Sequence, residues 1–343
     1  MRKGRIVAFL GLLLAANAVV EARAQTPAEF YKGKQITLVT SASVGGGYDQ
    51  YARILAKYMP KFIPGNPTIV VQNMPGADGL RAANYLYNVA AQDGSVIGGL
   101  ARNNGLAHFY NPDNTSLQFD ARKFHWLGSP QQEIGLLVLR TEKGAKTIED
   151  LKRIEVTSSS TARNSPSSIY ARMLNELYGS RIKPVEGYAG SQDALLAVER
   201  NEVDAHISGG SSAAFRNRIA PMLKEGKAII ALQMGVARDA AYPNVPTAIE
   251  IMPTQEGKQL FEIAFAEQVM GRPFVMPPGV PADRVKVLRE AFDAAVKDPE
   301  LLADAKSQKM EIDPVTGAAI NELLDRVYGA PPELAKRLSD LAK

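Results

Sequence analysis

Two glycine-rich turns in the N-terminal third of the chain each join an apolar strand to an amphipathic helix. Turns of this kind direct backbone N–H groups outward at a helix start, where the helix dipole also favours negative charge. Asp49, in the first turn of the first helix, is predicted to cap free N–H groups. The pair of turns predicts a site that grips an anion without charged side chains. Its predicted contacts are Ser41, Ser43, Gly45, Gly46, Gly47, Asn73, Gly76, Ala77 and Gly79.

A third loop, rich in hydroxyl groups, follows a predicted strand in the middle of the chain and precedes a helix. Its candidate contacts are Ser160, Thr161 and Arg163, and Arg163 is the cation placed to meet a second carboxylate of a ligand. The alternative is that this loop is only solvated. A fourth turn opens another helix at Gly190 and Ser191 and is interpreted in the same way as the first two.

Other chemistries have weaker support in the sequence. The three histidines do not occur in H-x-x-x-H or another familiar ligand spacing, so no metal site is predicted. Gly45–Gly47 is not followed by the lysine of a Walker loop and does not complete G-x-G-x-x-G, so no nucleotide cofactor is expected. The segment Gly209–Ala213 approaches a nucleophile elbow but lacks its last glycine. The sequence therefore predicts no cofactor and no catalytic residue.

The N-terminus has the pattern of a secretory signal peptide. A basic region precedes an apolar run over residues 6–20, and Ala22–Ala24 forms an A-x-A cleavage site, so residues 1–24 are expected to be removed. The alternative is an uncleaved N-terminal anchor. The signal holds four of the 40 Lys and Arg residues and one of the 36 Asp and Glu residues, so the net charge of +4 falls to about +1 without it. This charge and the absence of basic, aromatic-rich blocks predict no nucleic-acid binding.

The rest of the chain has the pattern of an α/β protein. Without cysteine it forms no disulfides, and a mature chain of roughly 320 residues is long enough to rely on its core and to form two lobes or domains. Short β-rich runs alternate with helical segments, which is typical of parallel α/β architecture. From about residue 282 the chain is helical, after a rigid connector at Pro273–Pro281. The predicted strands are 35–40, 68–72, 96–100, 134–140, 154–158, 183–186, 204–208 and 228–233.

Short segments spread over nearly the whole mature chain together resemble one family. In order and spacing they are similar to the periplasmic solute-binding receptors of tripartite tricarboxylate transporters, also called the Bug family. This chain departs from the family pattern at Asp78, where glycine is usual, and at Tyr170, where histidine is usual. The segments that carry the resemblance are Ser43–Asp49 with Ala52 and Arg53, Asn73–Gly79, Asp93–Ser95, Gly187–Gly190 with Glu202–Asp204, Tyr242–Thr247 and Pro278–Pro281.

The resemblance implies a two-lobed α/β fold of the type II periplasmic-binding-protein kind, in which each lobe is a mostly parallel sheet flanked by helices. It implies a first lobe from residues 25–131 and 245–343, a second lobe from residues 132–244, and a hinge where the chain crosses between them. It also implies that amides, hydroxyls and ordered water hold a ligand carboxylate between the first two turns, while the second lobe selects the far end of the ligand. The C-terminal residues would return to the first lobe.

The predicted function is therefore that of a periplasmic, non-enzymatic protein. It captures a small organic carboxylate by lobe closure and delivers it to membrane permease subunits. The protein is expected to be a monomer without a nucleic-acid partner. Two alternatives stay open, namely a receptor that feeds a signalling partner in place of a transporter, and a periplasmic enzyme.

Overall fold

The computed structural model of the chain describes residues 25–110, 112–163, 165–209, 215–239 and 241–342, and the predicted signal peptide lies outside them. The helices are α1 (Pro27–Tyr31), α2 (Gly47–Tyr58), α3 (Leu80–Asn88), α4 (Ala107–Tyr110), α5 (Pro166–Tyr178), α6 (Ser191–Glu199), α7 (Ala220–Lys224), α8 (Ala248–Ile251), α9 (Gln255–Val269), α10 (Ala282–Ala295), α11 (Pro299–Ser307), α12 (Gly317–Tyr328) and α13 (Pro332–Ala342). The strands are β1 (Gln35–Thr40), β2 (Thr68–Asn73), β3 (Val96–Gly99), β4 (His125–Ser129), β5 (Gly135–Arg140), β6 (Val156–Ser159), β7 (Ile182–Val185), β8 (Ala205–Gly209), β9 (Ala228–Met234), β10 (Phe274–Met276) and β11 (Val315–Thr316).

The first sheet has the strand order β11-β4-β10-β3-β1-β2 and carries the two glycine-rich turns. β1 pairs in parallel with β2 on one side and with β3 on the other. Leu38 and Val39 of β1 point to opposite faces and are both fully buried, as expected for a strand covered on both faces. At Gly98 of β3 a Cβ atom would collide with Leu86 of α3, so the glycine lets this helix pack directly on the sheet. β10 and β11 extend the sheet by antiparallel pairing.

The second sheet has the order β7-β6-β8-β5-β9. β6 pairs in parallel with β7 and β8, whereas β5 lies antiparallel between β8 and β9. All eight strands predicted from the sequence are present, with ends that shift by at most two residues. β4, β10 and β11 were not predicted, and β10 lies inside the segment predicted as a rigid connector. The predicted α/β fold class is confirmed.

The two sheets are joined by packed side chains as well as by the chain itself. The chain leaves the first sheet through residues 130–134, between β4 and β5, and returns after β9 through α8 and α9 to β10. One hydrophobic core spans both sheets, since it includes Trp126 of β4, Leu137 of β5 and Phe265 of α9. A change in the relative position of the sheets would therefore slide apolar side chains over one another.

The C-terminal helices divide between the two sheets. α10 and α12 pack on β4, and α11 packs on α2, all on the first sheet. α13 packs instead on α4 of the first sheet, on α9, and on α5 of the second sheet. Arg337 of α13 forms an ion pair with Glu176 of α5 at 2.8 Å, and Arg172 Nε of α5 donates to the carbonyl oxygen of Leu341 at 3.0 Å. The last helix is thus a further connection between the sheets, in addition to the two chain crossings.

The packing of α13 is tested by truncating its buried leucine. Leu338 is fully buried, so Leu338→Ala should reduce the free energy of unfolding by about 2–5 kcal/mol through lost burial and a residual cavity. The measurement is urea denaturation of the mature protein. The control is Lys336→Ala on the exposed face of the same helix, which loses only a surface pair with Asp340 and should cost less than about 1 kcal/mol. Equal losses in the two variants would contradict the packed position of α13.

Candidate functional site

The four predicted loops lie at the carboxyl ends of parallel strands. The turns at residues 41–47 and 73–79 follow β1 and β2, and the loops at residues 160–167 and 187–191 follow β6 and β7. Parallel strands end at one edge of a sheet, so the loops are neighbours in pairs. The crossover of residues 130–134 joins the two edges, because it leaves the end of β4 and enters β5 opposite Gly209, the last residue of β8. The structure therefore brings all four loops to the facing edges of the two sheets.

Asp49 holds the first turn against the second. Its buried carboxylate accepts hydrogen bonds from the Gly45 N–H at 2.8 Å, from Arg53 Nε at 2.9 Å and from Asn73 Nδ2 at 2.7 Å. Asn73 Nδ2 also lies 2.9 Å from the carbonyl oxygen of Ala42, to which it donates. Burial raises the pKa of the Asp49 carboxyl, but these three donors outweigh it and hold the pKa below its ordinary value. Asp49 and Asn73 thus fix the shape of the two turns.

The second turn folds over Ser41 through left-handed backbone. The φ angles are 130° at Gly76, 48° at Ala77 and 89° at Gly79. A residue with a side chain larger than that of alanine would adopt these positive angles only with strain. A Cβ atom at Gly79 would lie 2.7 Å from Oδ1 of Asn104 and 3.4 Å from Cβ of Ser41, so the two turns meet the segment that follows β3. The buried Oγ of Ser41 has no hydrogen-bond partner among the described residues. Ser43, in contrast, is exposed, and its carbonyl oxygen accepts the Gly46 N–H at 3.1 Å.

Four helices begin at these loops without a side-chain cap. They are α2 at Gly46, α3 at Gly79, α5 at Ser165 and α6 at Gly190. Side chains cap five helices elsewhere, through Thr26, Thr247, Thr254, Asp298 and Thr316. Among the helix starts that the structure describes, those of α7 and α10 also lack such a cap. The first N–H groups of an uncapped helix have no intrahelical acceptor and carry the positive end of the dipole, so the four loops supply backbone donors for an anion.

The loop before α5 is held by its own hydroxyls, and a backbone hydrogen bond joins it to the loop before α6. Ser160 Oγ lies 2.7 Å from Ser165 Oγ and 2.9 Å from Ser167 Oγ, and the Tyr188 N–H donates to the carbonyl oxygen of Ser160 at 3.3 Å. Thr161 is half-buried beside them and Arg163 is exposed. Gly190 is the extended residue before α6, and Ser191 is the first residue of that helix. The predicted contacts on this side therefore lie on two neighbouring loops.

A charged cluster that the sequence reasoning missed lies between the sheets. Glu133 of the crossover forms ion pairs with Arg102, which follows β3, and with Arg272, which precedes β10. Arg272 stacks over the ring of Tyr48 at 4.6 Å, and the Tyr48 hydroxyl accepts the Arg102 N–H at 3.2 Å. A side chain at Gly209 would collide with the Glu133 carboxylate. Burial raises the pKa of the Glu133 carboxyl, but the two arginines outweigh it and hold the pKa below its ordinary value. We name Arg102, Glu133 and Arg272 the arginine–glutamate cluster.

No family model matches the chain, but curated proteins do. A UPF0065 protein of Bordetella bronchiseptica is 25% identical over 298 residues, which are 85% of this chain and 81% of that protein. A UPF0065 protein of Agrobacterium vitis is 26% identical over an alignment 346 residues long, gaps included, which covers 98% of this chain and 92% of that protein. The similarity therefore extends over most of both chains.

Solved structures show which known proteins share the fold. A TctC solute-binding protein from Polaromonas superposes with a TM-score of 0.67 and 18% identity, over 91% of this chain and 98% of that chain. The periplasmic binding protein BugD superposes with a TM-score of 0.62 and 20% identity, over 91% and 98%. This chain has the fold of the TctC/Bug solute-binding proteins. The family resemblance drawn from the sequence motifs is thus confirmed.

A further TctC/Bug-like neighbour was solved with a ligand. MatC from Rhodopseudomonas palustris, with bound malate, superposes with a TM-score of 0.61 and 21% identity, over 90% of this chain and 99% of that chain. The Polaromonas and BugD structures are described as a solute-binding protein and a periplasmic binding protein, the class of protein that the sequence predicts. Among the described residues, no set of acidic and histidine side chains is arranged to hold a metal ion, and no helix has the length and apolar character to cross a membrane.

Tyr170, which stands where the TctC/Bug pattern usually has histidine, is part of the contact between the sheets. Its hydroxyl lies 3.0 Å from Glu267 Oε1 and 3.2 Å from the carbonyl oxygen of Ala264, and it accepts from Gln268 Nε2 at 3.2 Å. Burial and the nearby Glu267 carboxylate raise the pKa of Tyr170 well above its ordinary value. Tyr170 therefore stays neutral and links α5 of the second sheet to α9.

A cavity of about 470 Å³ lies beside the same crossover, between residues 132–134, residues 235–239 and the end of α9. Phe265 and Val269 supply apolar lining, and Arg238 and Asp313 supply charge. The predicted loop residues do not line it, so this cavity and the facing loops are different surfaces. Glu133 borders the cavity and belongs to the arginine–glutamate cluster as well.

The role of Asp49 is tested by Asp49→Asn. At pH 7 the variant should lose about 1.5–3 kcal/mol of unfolding free energy, because a buried carboxylate that accepts several hydrogen bonds becomes a weaker acceptor. The folded protein depresses the pKa of this carboxyl, so its stabilisation is complete above the unfolded value of about 4 and is lost as the pH falls through the folded pKa. The difference between the two proteins should therefore shrink in acid.

Denaturant unfolding of both proteins at a series of pH values measures this. Asp340→Asn is the control, since that carboxylate lies in an exposed pair and should change stability by less than about 1 kcal/mol at any pH. An Asp49→Asn protein as stable as the wild type at pH 7 would contradict the tie between the two turns.

Proposed function

We propose that this protein captures a small organic carboxylate between the facing edges of its two sheets. The observation that carries the proposal is the set of four helices that begin at those edges without a side-chain cap. Five helices in other parts of the structure do have such caps, for example α12. Backbone N–H groups at a helix start bind anions without a formal charge of their own. The unpartnered Ser41 hydroxyl adds a donor on the first sheet.

Capture takes place in two steps. The carboxylate docks on the two glycine-rich turns of the first sheet, whose shape the Asp49 contacts hold in advance. The hydroxyl-rich loops before α5 and α6 then close over the rest of the ligand. Closure is favoured only by the contacts that the ligand makes in the closed form and not in the open one.

The cellular setting belongs to the same proposal. The N-terminal pattern supports export to the periplasm, and the fold is that of TctC/Bug proteins, one of which was solved with malate. We infer that the closed, monomeric protein delivers its ligand to the membrane permease subunits of a tripartite transporter.

The ligand class is tested by thermal unfolding with a panel of acids. Acetate, lactate, succinate, malate, adipate and citrate are each added to the mature protein at matched ionic strength, with chloride and sulfate as controls. A ligand present at about 100 times its Kd should stabilise the folded state by about 2.7 kcal/mol and raise the melting temperature accordingly. A folded sample whose melting temperature responds to none of the carboxylates would overturn the proposed function.

The role of the first turn is tested by Gly46→Asp. Gly46 has φ of −71°, which any residue adopts, and a Cβ atom there would lie 3.2 Å from the Ser43 carbonyl oxygen, so the side chain fits with a small adjustment. An aspartate at this position caps helices well, so its carboxylate would occupy the N–H groups of α2 and repel an anion. We expect a folded protein without carboxylate binding.

Isothermal titration calorimetry measures binding, and circular dichroism checks the fold. Gly46→Ala is the matched control, because it adds the same Cβ atom without a charge and should keep most of the affinity. Wild-type affinity in Gly46→Asp would show that the first turn does not hold the ligand.

A further inference from the structure

The arginine–glutamate cluster lies where the two glycine-rich turns meet the segment that follows β3. The Arg102 N–H donates to the hydroxyl of Tyr48, which follows the first turn directly. Asn104, two residues after Arg102, lies against the second turn at Gly79. The side chain of Arg102 keeps 18% of its surface exposed, whereas that of Glu133 keeps 8%. Arg102 is therefore the more accessible partner of this ion pair.

In the cluster, two arginines share the single carboxylate of Glu133. The Nη1 atoms of Arg102 and Arg272 both approach the same oxygen of Glu133, Oε2. The other oxygen, Oε1, is directed at the backbone of Gly209 in the second sheet. The buried Nε of Arg272 has no hydrogen-bond partner among the described residues. Arginine binds a carboxylate best through two parallel N–H bonds, and the present pairing uses one from each guanidinium.

Arg272 is held in place by more contacts than Arg102, because it stacks over the Tyr48 ring and its Nη1 also donates to the carbonyl oxygen of Gly271 at 2.6 Å. If Arg102 releases Glu133, Arg272 can hold that carboxylate with Nη1 and Nη2, the two nitrogens at the end of its guanidinium, so Glu133 is not left as an unpaired buried charge. Exchange at Arg102 is therefore the less costly rearrangement.

We propose that Arg102 directly binds a carboxylate of the solute, and that Glu133 occupies this place in the ligand-free protein and is displaced to Arg272 when the solute binds. This inference rests on the proposed function, and it adds a charged contact to a site otherwise built from amides and hydroxyls. Since Glu133 lies on the crossover and against Gly209, its displacement also changes a contact between the two sheets.

Removal of the internal carboxylate should strengthen binding. In Glu133→Gln the solute no longer competes with a charge for Arg102, so we expect malate or the best acid of the panel to bind about tenfold more tightly or better, by calorimetry. The matched control is Asp204→Asn, which removes another buried, cation-paired carboxylate in the second sheet, next to Lys143 at 3.0 Å. Asp204→Asn should leave the affinity unchanged. Weaker or equal binding in Glu133→Gln would overturn the inference.

A second experiment does not depend on the identity of the solute. Glu133→Ala leaves the two arginines without their carboxylate, and added acetate should take its place. We expect acetate to raise the melting temperature of Glu133→Ala by about 2–4 °C relative to the same concentration of chloride, and to leave the wild type and Asp204→Ala unchanged. The double variant Arg102→Gln/Glu133→Ala should lose the response to acetate.

The outcomes separate this inference from the proposed function. Rescue by acetate that persists without Arg102, or no rescue in a folded Glu133→Ala protein, overturns the inference and leaves the test of the first turn untouched. If Glu133→Ala does not fold in either salt, the calorimetry of Glu133→Gln decides. A wild type that binds no carboxylate overturns the proposed function and this inference with it, whatever acetate does to Glu133→Ala.

Discussion

The candidate site depends on the crossover of residues 130–134. Because this short segment joins the carboxyl end of β4 to the start of β5, it turns the functional edge of one sheet toward that of the other. Parallel strands collect their loops at that edge, so a single connection gathers four loops from distant parts of the chain. Glu133, at the centre of this segment, is bound by an arginine from each of the two neighbouring connections of the first sheet. The same residues thus set the topology, the geometry and the electrostatics of the site.

The loops of the candidate site are held in shape by hydrogen bonds among their own residues. Asp49 and Asn73 fix the turns and leave the first N–H groups of α2 without a competing side chain. The hydroxyls of Ser160, Ser165 and Ser167 bond one another and so hold their loop in shape before any ligand arrives. Fixed donors of this kind need little reorganisation on binding. Glycine at position 209 is required for a different reason, since the Glu133 carboxylate fills the space of a side chain there.

The sequence carried enough information for the fold class and for the loops, but not for the charged cluster. Strands such as Gln35–Thr40 and Ala228–Met234 are short β-rich runs bounded by turns, and this local pattern predicts them directly. β10 and β11 have three and two residues and are defined by their pairing, β10 with β3 and β4 and β11 with β4, so no local pattern marks them. Glu133 is 31 residues from Arg102 and 139 from Arg272, and no spacing rule connects them. Asn73 was predicted as a ligand contact, which stays a prediction; the bonds from its amide nitrogen to Asp49 and to the Ala42 carbonyl oxygen are contacts that the sequence did not indicate.

The position of α13 has a consequence for how the molecule can move. Two lobes that are joined only by the segments of chain that cross between them can open by a hinge rotation about those segments. Here α13 contacts α4, α9 and α5 at once, and its Arg337 and Leu341 bond to α5 as well. A wide swing would break these contacts, whereas a rolling of α5 along α13 and α9 would keep them. The motion that this fold permits is therefore a shear, in which α5 slides over α13 and α9 by a small distance. The interdigitated side chains of these helices limit how far they slide.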